Sequence, residues 1–145
     1  MDDFIFCQRD IPKEQWRYGF RSSAATGCGW IATYNALRLL GKKATPEELI
    51  RFYQRQLPLI HGNFGTTILA PAWYFKKQGY LVEWTARNDR FDDLAKRSDA
   101  CVLYYRCVKN GSLAHISPAC IIPRKALWVL ILTTIPKPRT DTAAA

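Results

Sequence analysis

From residue 28 onward the apolar positions recur at helical spacing. Trp30 or Ile31, Tyr34, Leu37 and Leu40 mark one face of a helix over 28–40, and Gly41 follows where a left-handed C-cap residue is wanted. So many apolar positions predict a mostly buried helix. Thr45-Pro46-Glu47-Glu48 then combines an N-cap threonine, a proline at the first helical position and a capping-box glutamate ahead of Leu49, Ile50, Tyr53 and Leu57. This predicts a second helix that ends before Pro58. Pro71 predicts a third helix starting near Leu69 or Ala70, and Gly79 its end.

Beyond Gly79 the period shortens. Tyr80 to Thr85 reads as a strand, Phe91 to Lys96 as a short helix and Ala100 to Val108 as a second strand. Lys109-Asn110-Gly111-Ser112 carries the Asn-Gly signal of a type I′ hairpin, which returns the chain antiparallel through Leu113 to Ile122. Pro118 limits that return strand to an edge or a bulge. Ala126 to Thr134 adds one more strand, and the proline- and alanine-containing tail 135–145 is expected to be disordered. Helices first and strands after predict an α+β fold, N-terminal helices packed on one side of a C-terminal antiparallel sheet. The 145 residues, 48% of them hydrophobic, suit one domain, placed at 16–134 with 1–15 as an N-terminal extension.

The net charge of +9 is large for this length and suits an anionic partner. Lys42-Lys43, Lys76-Lys77 and Arg124-Lys125 are nevertheless isolated pairs without a nucleic-acid-binding signature, so a solvated face is expected and nucleic acid is an unlikely partner. The start of the chain, with Asp2 and Asp3, is unlike a signal peptide, and no apolar run reaches membrane-spanning length. A cytoplasmic protein without a membrane segment is the expectation. The cysteines, Cys7, Cys28, Cys101, Cys107 and Cys120, are odd in number and form no CxxC pair, which argues against a disulfide framework or a zinc site. His61 lies in a glycine-containing loop without further ligands at metal-binding spacing, so neither metal nor cofactor is expected.

Cys28 stands apart from the other thiols. It lies between Gly27 and Gly29 at the predicted start of the first long helix, where unpaired N–H groups and the positive end of the macrodipole favour a thiolate. The glycines are expected to leave room for a substrate carbonyl beside the sulfur. A thiol nucleophile needs a base, and His115 on the strand after the Asn-Gly turn supplies an imidazole in the chain order cysteine, then histidine.

Gly27-Cys28-Gly29-x-x-Ala32-x-x-Asn35-Ala36-Leu37, with Ala114-His115-Ile116 far downstream, resembles the papain-like peptidases that remove double-glycine leaders from bacteriocins, and their stand-alone relatives. The likeness runs over residues 16 to 116 and takes in Gly65-Thr66-Thr67 and the stretch from Tyr74 to Tyr80. It implies a papain-like fold, Cys28 as nucleophile and His115 as general base acting on a peptide or protein substrate. The family places a glutamine ahead of the cysteine, but Arg21-Ser22-Ser23-Ala24-Ala25 stands here. The oxyanion candidates are then the Cys28 backbone N–H and the Ser22 or Ser23 hydroxyl. For the family's imidazole-orienting Asp or Asn this chain offers Thr133 or Thr134. The implied activity is hydrolysis of a peptide or isopeptide bond by a cysteine peptidase; the alternative is a catalytically inactive, peptidase-like module that binds peptide.

Overall fold

The computed structural model describes residues 4–55, 67, 69–85, 87–105 and 129–135. In chain order the elements are β1 (Arg17–Tyr18), β2 (Arg21–Ser22), α1 (Ser23–Thr26), α2 (Cys28–Leu39), α3 (Pro46–Arg55), α4 (Ala70–Lys77), β3 (Leu81–Thr85), α5 (Phe91–Lys96), β4 (Ala100–Tyr105) and β5 (Val129–Ile135). The fold is mixed α+β. Among the described residues, no helix is long and apolar enough to cross a membrane.

The helix ends follow from local chemistry. Gly41, at φ +66°, closes α2: its N–H donates to the Arg38 carbonyl at 3.0 Å and the Lys42 N–H to that of Leu37 at 2.8 Å. This pair of bonds is a Schellman motif. Gly79, at φ +85°, ends α4 in the same way, with bonds from Gly79 to Lys76 and from Tyr80 to Phe75, both 3.0 Å. At the start of α3 the Glu48 N–H donates to Thr45 Oγ1 at 3.3 Å and the Thr45 N–H to Glu48 Oε2 at 3.1 Å, completing the capping box.

One core joins the helices to the sheet. Trp30, Ile31 and Leu37 of α2 pack with Leu49 and Tyr53 of α3, Phe75 of α4, and Ala100 and Val102 of β4. Burial of each large apolar side chain stabilises the fold by about 1.5–3 kcal/mol before chain entropy is charged against it. The three-stranded sheet has the order β3-β5-β4, with β5 antiparallel to both neighbours. Its faces are distinct. Val82, Ala100 and Val102 enter the core with α2, whereas Glu83 on the alternate face pairs with Arg97, just beyond α5. Helices on one side only, as the residue pattern implied, therefore describes α2 and α4 but not α5, which crosses the other face.

Three features lie beyond the elements foreseen from the pattern. The first is the two-stranded ribbon of β1 and β2, turned at Gly19 with φ +62°. The second is the single-turn helix α1. The third is the segment 4–15, which is tied to α2: the Ile5 N–H donates to Asn35 Oδ1 at 3.0 Å, Asn35 Nδ2 donates to the Ile5 carbonyl at 2.9 Å, and Ile11 is buried in the core. The expected return strand 113–122, both histidines and the tail beyond residue 135 fall outside the described residues.

Candidate nucleophile site at Cys28

Gly27 alone separates α1 from α2. Its N–H donates to the Ser23 carbonyl at 2.8 Å and its carbonyl accepts from the Ile31 N–H at 3.1 Å, so Gly27 closes the bonding of α1 and opens that of α2. Cys28 opens α2 and is half-buried, while every residue from Gly29 to Leu37 is buried. The thiol therefore occupies the accessible N-terminal end of a helix otherwise sealed in the core. The first-turn amides of a helix point out of that end, which gives an anion at this place favourable dipoles.

The lack of a side chain at Gly27 serves packing as well as turning. A Cβ there would lie 2.6 Å from the Ser23 carbonyl oxygen and 2.6 Å from Trp30 Nε1. The Trp30 indole uses that approach to donate to the Ser23 hydroxyl at 3.1 Å, and the hydroxyl in turn donates to the Trp16 carbonyl. Ser23, an oxyanion candidate by sequence, is fully buried with its hydroxyl committed at both ends. Ser22 is half-buried, just ahead of α1, and makes no side-chain cap bond.

Trp16 closes this cluster at an unusual backbone angle, φ +54°, where a bulky residue is strained. Surrounding contacts hold it there. Its carbonyl also accepts from the Ser23 N–H at 3.1 Å, its indole Nε1 donates to Glu47 Oε1 at 2.7 Å, and its ring meets Trp30 edge-on at 5.7 Å. Sequence reasoning missed Trp16 and Glu47 because no local pattern signals a contact between the ribbon and α3.

Tyr53 of α3 is fully buried in the same core and hydrogen-bonded to the Thr33 hydroxyl of α2. Burial pushes its phenol well above the ordinary tyrosine range; the Thr33 bond works in the opposite direction, and Tyr18, Tyr74 and Cys28 add to the rise. Tyr18 of the ribbon and Cys28 thus both lie within electrostatic reach of the same phenol.

Of the two threonines offered as orienting residues, Thr134 is level with Val82 and Ala100, through which the neighbouring strands enter the core with α2. Thr133 is level with Glu83 and Cys101. His115 lies outside the described residues, as does His61. Cys7 is exposed at the N-cap of the one-turn 3-10 helix Gln8–Asp10, and Cys101 is half-buried on β4.

Among the described residues, no group of three or more His, Cys, Asp or Glu side chains is placed to hold a metal ion. Comparisons with protein-family models, with curated proteins and with solved structures find no match.

Proposed function

We propose that the chain is a cysteine peptidase, a thiol hydrolase of peptide or isopeptide bonds built on the plan of the papain-like, double-glycine-leader type, with Cys28 as nucleophile and His115 as general base. The observation that carries this reading is the half-buried thiol at the first position of α2, ahead of nine buried residues. A rigid, buried helix keeps the sulfur in place, and its outward-pointing amides stabilise negative charge there.

In the proposed reaction the imidazole takes the thiol proton and the thiolate attacks the substrate carbonyl. The Cys28 backbone N–H stabilises the oxyanion, and the imidazolium returns its proton to the leaving amine. Water then hydrolyses the thioester, releasing the acid and restoring the thiol. The α2–β4 packing supports this arrangement, because it brings the cysteine helix against the sheet. Thr133 or Thr134 of β5 is the candidate for orienting the base. The reading includes a reducing, cytoplasmic setting in which the thiol persists.

Iodoacetamide labelling followed over pH tests the nucleophile. Cys28 is expected to react well below pH ~8, ahead of Cys7 and Cys101, whereas labelling that tracks an ordinary thiol near 8.5 overturns the mechanism. One observation favours the second reading, an inactive peptide-binding module: the Ser23 hydroxyl is committed to Trp16 and Trp30, so the oxyanion site lacks that side-chain donor. Peptide affinity that survives Cys28→Ala, with no turnover by the unmodified chain, would establish that alternative.

A further inference from the structure

We propose that the chain from Ile5 to Gln8 is a strap that crosses the side of α2 carrying Cys28, shields the thiol from that side and uncovers it by local release. Two anchors fix its course. At one end the Ile5 N–H donates to Asn35 Oδ1 at 3.0 Å, while Asn35 Nδ2 donates to the Ile5 carbonyl at 2.9 Å. At the other end Gln8 Nε2 donates to the Ala24 carbonyl at 2.9 Å, and the short helix Gln8–Asp10 packs on α1.

Cys28 lies between those anchors. Asn35 follows it by seven residues, close to two full turns, so the two side chains leave α2 on the same side. Ala32 lies between them on that side and is buried. Ala24 precedes the thiol, and Gly27, at φ −80° and ψ 3°, departs from helical values chiefly in ψ, so α1 leads away from the start of α2 instead of folding back along it. A chain tied to Asn35 and then to Ala24 therefore passes the level of Cys28. The lengths agree. Seven helical residues rise about 10 Å, and three extended steps from Ile5 to Gln8 span about 10 Å. Cys7, extended at φ −131° and ψ 116°, and Gln8 thus come level with the thiol, in keeping with its half-burial.

The strap is lightly held. Phe6 is 84% exposed, Cys7 is exposed, and Ile5 and Gln8 are only half-buried, so the segment buries little apolar surface and is tied down by its three side-chain bonds. Segments with few buried contacts open locally at small cost. Ile11, buried in the core, fixes the chain just beyond and confines the movement to the residues before it. That opening gates turnover only under the hydrolase reading, on which this consequence rests; the shielding of the thiol does not require it.

The test is the rate at which N-ethylmaleimide modifies each cysteine of the full chain, read by peptide mass spectrometry across pH. Asn35→Ala removes the Ile5 anchor and Gln8→Ala the Ala24 anchor. The Cys28 rate is expected to rise about tenfold in the first and about fivefold in the second, with the midpoint of its pH profile unmoved and the rate of Cys101 unchanged. A rate in Gln8→Ala no higher than the parent's overturns the proposal, whatever Asn35→Ala does. So does Cys101 accelerating in step with Cys28, which reports general loosening, or a gain that comes from a shifted midpoint, which reports a change of charge and not of access. Gln8 is half-buried and lies outside α2, so its variant decides the matter even where Asn35→Ala fails to fold. Faster labelling in both variants about an ordinary thiol midpoint near 8.5 would end the hydrolase reading and leave the strap standing.

Discussion

Trp30 reaches back over Gly27 to donate its indole N–H to the Ser23 hydroxyl at 3.1 Å, and that contact exists because residue 27 carries no Cβ. The junction ahead of Cys28 is thus set by packing on its inner side as well as by helix geometry. Ser23 relays the bond to Trp16, so the ribbon, α1 and α2 are locked together at the base of the thiol.

Gly27→Ala is expected to destabilise the protein by about 1–3 kcal/mol, because one of the two 2.6 Å contacts is with a backbone oxygen that cannot swing aside. Urea unfolding followed by tryptophan fluorescence measures this, and Cys28 should also lose alkylation rate as the junction shifts. A variant as stable and as reactive as the parent would show that the junction yields at little cost.

Tyr53 should make the protein sensitive to alkali. Its native phenol keeps its proton because burial disfavours the anion, while in the unfolded chain it ionises near its usual value of about 10. The associated stability is complete below that pH. Above it the unfolded state binds fewer protons than the native state, and stability falls by about 1.4 kcal/mol per pH unit. Tyr53→Phe should flatten this alkaline slope while lowering stability at neutral pH by about 1–2 kcal/mol, since Thr33 loses its partner. Urea midpoints from pH 7 to 11 compare the two proteins, and parallel slopes would remove Tyr53 as the cause.

Asn35 should govern the attachment of the N-terminal segment. Asn35→Ala removes both reciprocal bonds to Ile5, and trypsin cleavage after Arg9 and Lys13, which are exposed, is expected to accelerate about tenfold through local opening. An unchanged rate would mean that buried Ile11, and Gln8 donating to the Ala24 carbonyl at 2.9 Å, hold the segment without Asn35.

Much of the helical layer was legible from residues close together in the chain. Gly41, Gly79 and the Thr45/Glu48 pair determine where helices stop and start, because caps are bonds between neighbours and need nothing from the rest of the molecule. The position of Cys28 at a helix start was readable for the same reason. Strands 81–85 and 100–105 and the short helix 91–96 were likewise visible in period and punctuation.

Tertiary structure decided what joins distant segments. The last strand lies between the two earlier ones, a choice made by long-range pairing that no local pattern encodes. The left-handed Trp16 is held by Ser23, Glu47 and Trp30, and residues 16 and 17 lie along α3 through bonds to Glu47 and Gln54. Alone, the sequence determined the helix boundaries and the place of Cys28 at a helix start, since those depend on bonds spanning a turn or less. Folding decided what packs behind that thiol, since burial arises when remote segments share one core.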